Sequence, residues 1–87
     1  MTDDNLRRAI LARVAGLRPG TTCCPSRVAR DLADDWRVLM PRLRAQAFGL
    51  ARAGLIRVTQ KGRDVAEDAS GPIRLGPNAR THSEEQT

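Results

Sequence analysis

The sequence predicts a mainly α domain with a small β-hairpin, a winged helix-turn-helix. Three observations lead there. Apolar residues recur at helical spacing in three separate stretches before Gly54. The pattern then changes to the β-branched run Ile56-Arg57-Val58-Thr59, followed by the turn pair Lys61-Gly62. With 87 residues, 40% of them hydrophobic, there is material for one core and no second one. Helix, helix, helix, hairpin is the winged-helix order. A ferredoxin-like fold or a zinc ribbon would require a strand-first order or more cysteines.

The first helix is expected over residues 3–17, where Leu6, Ile10, Val14 and Leu17 share a face and Arg7 and Arg8 point elsewhere. Asp3 and Asp4 sit where carboxylates cap orphan amides and oppose the positive helix end. Pro19-Gly20 stops this helix, and Thr21-Thr22-Cys23 is long enough for a scrap of strand. The second helix should start at Cys24-Pro25-Ser26, because the missing N–H of a proline costs nothing at the first helical position. Val28, Ala29 and Leu32 form its apolar stripe, and Asp34-Asp35 end it.

The residue before a proline disfavours the α region, so residues 36–40 read as a separate turn and the third helix as 41–53. Leu43, Ala47, Leu50 and Ala51 form its buried face, with Phe48 at the rim. Gly54 suits a left-handed cap, with Leu55 folding back on Leu50 as in a Schellman motif. Residues 55–60 then read as a strand, Arg63-Asp64-Val65 as its returning partner, 66–70 as a polar linker, and 71–75 as a last short edge strand. From Gly76 onward periodicity and large apolar side chains both cease, so the expected organisation is a domain over residues 1–75 and a disordered tail over 76–87.

The chain carries 15 Lys plus Arg against 10 Asp plus Glu, a net +5. The distribution says more than the total. Residues 1–35 are nearly balanced, whereas residues 36–63 hold Arg37, Arg42, Arg44, Arg52, Arg57, Lys61 and Arg63 and no acid. These seven are the candidate nucleic-acid contacts, because the third helix and the wing are the elements a winged helix turns toward a duplex. Opposite Leu43, Ala47 and Leu50, the third helix presents Arg42, Ala45, Gly49 and Arg52, and the small residues leave its backbone close to a major groove. The same spacing would also serve a partner helix, and a solvated basic face is the plainer reading. Aromatic poverty, with Trp36 and Phe48 alone, argues against single-strand binding, which stacks bases on aromatic platforms.

Other chemistries find little footing. Cys23-Cys24 lacks the paired ligands of a zinc site, the one histidine being His82 near the C-terminus. The expectation is one buried thiol and one beside the cap of the second helix. Trp36 is expected to close the core. No Ser-His-Asp set, phosphate-cradling glycine loop or carboxylate pair in an apolar setting is present, so no enzyme activity, metal or cofactor is expected. No apolar run approaches a membrane span, and the expected location is cytoplasmic.

The runs Cys24-Pro25-Ser26-Arg27-Val28-Ala29-Arg30, Trp36-Arg37-Val38-Leu39-Met40, Gly54-Leu55-Ile56, Thr59-Gln60-Lys61-Gly62 and Gly71-Pro72-Ile73-Arg74-Leu75 resemble one small bacterial family, the domain of unknown function numbered thirty-two fifty-three. The resemblance spans about residues 6 to 75. It implies a winged-helix fold and no activity. Relatives commonly carry an acid after the Pro-Ser pair, where this chain has Arg27, which makes this surface more basic. The functional expectation is an accessory or regulatory duplex-DNA binder, the alternative being a protein-interaction or homodimerising module.

Overall fold

The computed structural model describes residues 2–67 and 69–78. Helix α1 spans Asp3–Ala15, α2 Pro25–Leu32 and α3 Trp36–Arg52; strands follow as β1 Ile56–Gln60, β2 Arg63–Asp64 and β3 Arg74–Pro77. The three helices pack around one core, and the antiparallel sheet closes it in the order β2-β1-β3. Cys23 bridges to Leu75 on the outer side of β3, with the two N–H···O bonds both at 2.8 Å. The class is therefore the expected one, mainly α with a small sheet, in an arrangement compatible with a winged helix. Among the described residues no helix is long and apolar enough to cross a membrane.

Local chemistry explains most of these boundaries. Thr2, rather than Asp3 or Asp4, caps α1, its Oγ1 accepting from the Asn5 N–H at 3.1 Å. The two aspartates fill the first turn instead, where the helix dipole favours them. Leu6, Ile10 and Val14 are buried as their spacing requires, and the helix ends two residues earlier than expected, at Ala15. Pro25 opens α2 at the first helical position. After α3 the backbone makes a full Schellman motif: the Leu55 N–H donates to the Leu50 carbonyl and the Gly54 N–H to that of Ala51, both at 3.0 Å. Gly54 sits at φ +80°, which a side chain would strain. The accompanying hydrophobic contact is weak, because the Leu55 side chain is 51% exposed.

Three expectations are corrected. Residues 36–40 are not a separate turn: α3 runs continuously from Trp36, with Pro41 inside it. Pro41 is exposed and only five residues from the helix start, so the unpaired Arg37 carbonyl can face water. Trp36, Leu39 and Met40 pack against the core and hold the first turn against a cost of about 3 kcal/mol for an interior proline. Phe48 is core rather than rim, at 3% exposure, because 17 helical residues meet α1, α2 and β1 together.

The last strand is also shifted. It is β3, Arg74–Pro77, pairing along β1 from Ile56↔Pro77 to Thr59↔Arg74. Gly76 and Pro77 thus belong to the sheet, not to a tail. Gly76 is buried where a Cβ would lie 3.1 Å from the Thr21 carbonyl oxygen and from Thr22 Cγ2, so the Thr21-Thr22 segment can approach only a glycine. Asn78 Nδ2 then donates to the Gly54 carbonyl at 2.6 Å, tying the strand's end to the helix cap. The rest of the expected tail, residues 79–87, lies outside the described residues.

The connection between β1 and β3 is more than a hairpin. Lys61 and Gly62, both at positive φ, turn the chain into β2, which pairs back as Thr59↔Asp64 and Gln60↔Arg63. Residues 65–67 and 69–73 then lie against β1 and α3. Gln60 Nε2 donates to the Ser70 and Pro72 carbonyls at 2.6 and 3.0 Å. Val65 packs on the core and its N–H donates to the Val58 carbonyl at 3.1 Å.

Candidate nucleic-acid interface

The exposed face of α3 carries Arg37, Val38, Pro41, Arg42, Ala45 and Arg52, with Gly49 half-buried along it, and Leu43, Ala47 and Leu50 point into the core. This is the expected helix phase. The seven candidate cations nevertheless differ in what holds them.

Arg42 Nη2 lies 3.0 Å from Asp3 Oδ1, Arg52 Nη1 2.7 Å from Glu67 Oε2, and Arg57 Nε 2.9 Å from Asp64 Oδ1. Each acid comes from outside the acid-free stretch, so folding returns the negative charge that the linear count leaves out. All three pairs are solvent-exposed, and pairs of this kind are worth about 1 kcal/mol or less, so a phosphate can displace the acid. Arg44 is different. Its Nη1 donates to the Gly71 carbonyl at 2.9 Å and its Nη2 to the Ala69 carbonyl at 2.6 Å, the latter partly buried, and its guanidinium lies 5.5 Å from the Phe48 ring centroid. It fastens the loop before β3 to α3, which is a structural post. Arg37 stacks over Trp36, 4.5 Å from the ring centroid. Lys61 at the turn and Arg63 beyond it are exposed.

Trp36 packs on the core only in part; its half-buried ring also takes Arg30 at 4.7 Å, so one aromatic gathers two cations at the start of α3. The cysteines divide as expected. Cys23 is buried, where desolvation pushes its thiol up against the opposing pull of Arg13 and Arg74, and Cys24 is exposed at the cap of α2.

A second basic group was not expected as a unit. Arg13 of α1, Arg27 and Arg30 of α2, and Arg74 of β3 line one open cleft of about 390 Å³ with Thr22, Cys24 and Ser26. Residues from three elements meet there, and nothing in their spacing along the chain announces it. The signal available was the replacement noted at Arg27, a cation beside the start of α2.

The chain matches, over residues 3–78, the family model described as Protein of unknown function (DUF3253). It belongs to that family. The match ends one residue beyond β3, so this DUF3253 member's family region includes the strand and the Asn78 tie to the α3 cap. No curated protein matches the chain.

Proposed function

We propose that this chain is a winged-helix protein that binds duplex DNA, with α3 toward the major groove and the turn at Lys61-Gly62 along the backbone. One observation carries the reading. Besides Val38 and Pro41 near its start, the exposed face of α3 is built from small and basic residues with no acid of its own, so around Ala45 and Gly49 its backbone can approach a polyanion closely, with Arg42 and Arg52 beside them and Arg37 at the helix start. Exposed ion pairs at Arg42 and Arg52 exchange for phosphate at little cost.

Fluorescence anisotropy with random duplex DNA over a range of salt tests it. With about four or five phosphates contacted, log affinity should fall against log salt with a slope of about −4. The double variant Arg37→Ala/Arg63→Ala should weaken binding and flatten the slope by about two units, one per lost contact. Arg7→Ala/Arg8→Ala, on α1 and equal in charge removed, should change far less. Equal losses in both would reduce the effect to general attraction, and absence of binding at low salt would remove the reading.

A protein-interaction role is the second reading, and it has its own observation. Val38 on α3 is 67% exposed and Leu55 after the cap 51%, two large apolar side chains that a partner would cover. A dimer that persists at high salt in sedimentation would favour it.

A further inference from the structure

The cleft at the start of α2 is basic in a way the α3 face is not. Among the described residues the carboxylate found against its arginines is Asp31, 3.2 Å from Arg13 Nη2 and 61% exposed. Arg13 Nε is buried and has no hydrogen-bond partner. Arg74 is held in place before any ligand arrives: its Nε donates to Thr22 Oγ1 at 2.9 Å, its Nη2 to the Thr22 carbonyl at 3.0 Å, and its Nη1 to Cys24 Sγ at 2.9 Å. Arg30 is braced on the Trp36 ring. Arg27, at the third position of α2, is exposed at the cleft's edge. The cap residue Cys24 makes no side-chain hydrogen bond to the helix amides, so that end of α2 adds its own positive potential to the guanidiniums.

We propose that this cleft seats a phosphate group, held by Arg27 and Arg74 with Arg13 and Arg30 behind them. Arginines of α1, α2 and β3 line the cleft from three elements rather than from one, which suits a tetrahedral oxyanion better than a flat carboxylate. Like charges held near one another by packing and by neutral partners repel, and an anion between them relieves that repulsion. Because Arg74 and Arg30 are already ordered, little side-chain entropy is lost on binding. The phosphate can be brought by a duplex backbone or by a free phosphate ester. The seat stands apart from the α3 reading, since it uses none of that face's residues.

The test is NMR of the arginine Nε–Hε and backbone amide signals of the full chain, titrated first with inorganic phosphate and then with a short random duplex. Phosphate should give saturable shifts at Arg27, Arg74 and the Ser26 and Arg27 amides, and small ones at Arg7 and Arg8. Arg27→Ala, at an exposed side chain on the cleft's edge, should weaken phosphate binding about tenfold or more, the worth of one charge-assisted hydrogen bond. Arg74→Gln should do the same, and if it unfolds the domain the Arg27 variant still decides. Displacement of phosphate by the duplex, with both variants impaired, assigns the seat to the DNA backbone. Retention of phosphate in the presence of duplex assigns it to a free ester. Absent shifts, or shifts spread evenly over every exposed arginine, overturn the seat. If the duplex binds through α3 while the cleft signals stay unmoved by phosphate and duplex alike, the seat fails and the α3 reading survives.

Discussion

Along residues 36–63 seven basic residues follow one another with no acid between them, yet in the folded domain Arg42, Arg52 and Arg57 each face a carboxylate and Arg44 is fastened to two carbonyls. Around the start of α2 the opposite happens. Arg13, Arg27, Arg30 and Arg74 come from three separate segments, and among the described residues one exposed aspartate is left against them. Charge counted along a chain and charge presented on a surface are thus different quantities. Segments that look neutral can pool their cations, and a basic segment can be answered by acids brought from elsewhere. The difference decides which arginines are available to an anion and which hold the domain together.

The largest effect should come from the frame that carries both regions. Leu50→Asp places an unpaired carboxylate at a site 5% exposed in the shared core, and the variant should lose its cooperative melt and helical circular dichroism. An unchanged melt would mean that the α3 phase, and with it the assignment of faces, is wrong.

Next in size is Arg44→Ala. Two charge-assisted bonds to the loop before β3 are lost, one partly buried, so stability should fall by about 2 kcal/mol and Tm by about 10 °C, with faster proteolysis around Ala69 to Gly71. By contrast Arg57→Ala, which breaks an exposed pair, should cost about 0.5 kcal/mol or less. Similar losses for the two would erase the distinction between post and surface cation.

Shortening the chain sharpens the comparison at the sheet's edge. Ending it at Asn78 should leave Tm nearly unchanged. Ending it at Pro77 removes the bond to the Gly54 carbonyl and should cost about 1 kcal/mol in the same melt. The smallest structural effect is a labelling one. A thiol reagent should modify Cys24 at once and reach Cys23 only as the domain opens, since one thiol is exposed and the other buried.

Much of the fold was legible. Leu6, Ile10 and Val14, the Pro25 start, the Gly54 cap and the Lys61-Gly62 turn all lie where the pattern put them. The candidate interface was legible only as a list. Arg42 and Arg52 lie on the exposed face as expected, but Arg44 could not be recognised as a post, because the carbonyls it holds lie 25 and 27 residues away. Phe48 looked like rim because one helix's periodicity says nothing of what a second and third helix cover.

By itself the sequence determined the order of the elements, the Pro25 start, the Gly54 cap and the phase of each helix, because these follow from interactions within a few residues. It also determined that the hairpin turns at Lys61-Gly62. Only the tertiary structure decided that α3 passes through Pro41, since core packing of Trp36, Leu39 and Met40 outweighs a local penalty. It alone decided that β3 takes in Gly76, whose absent Cβ admits the Thr21-Thr22 segment. And it decided which arginines meet an acid and which are only held in place: Asp3 answers Arg42 across 39 residues, while the neutral Thr22 fixes Arg74 across 52, distances in chain that only a closed core brings to three ångströms.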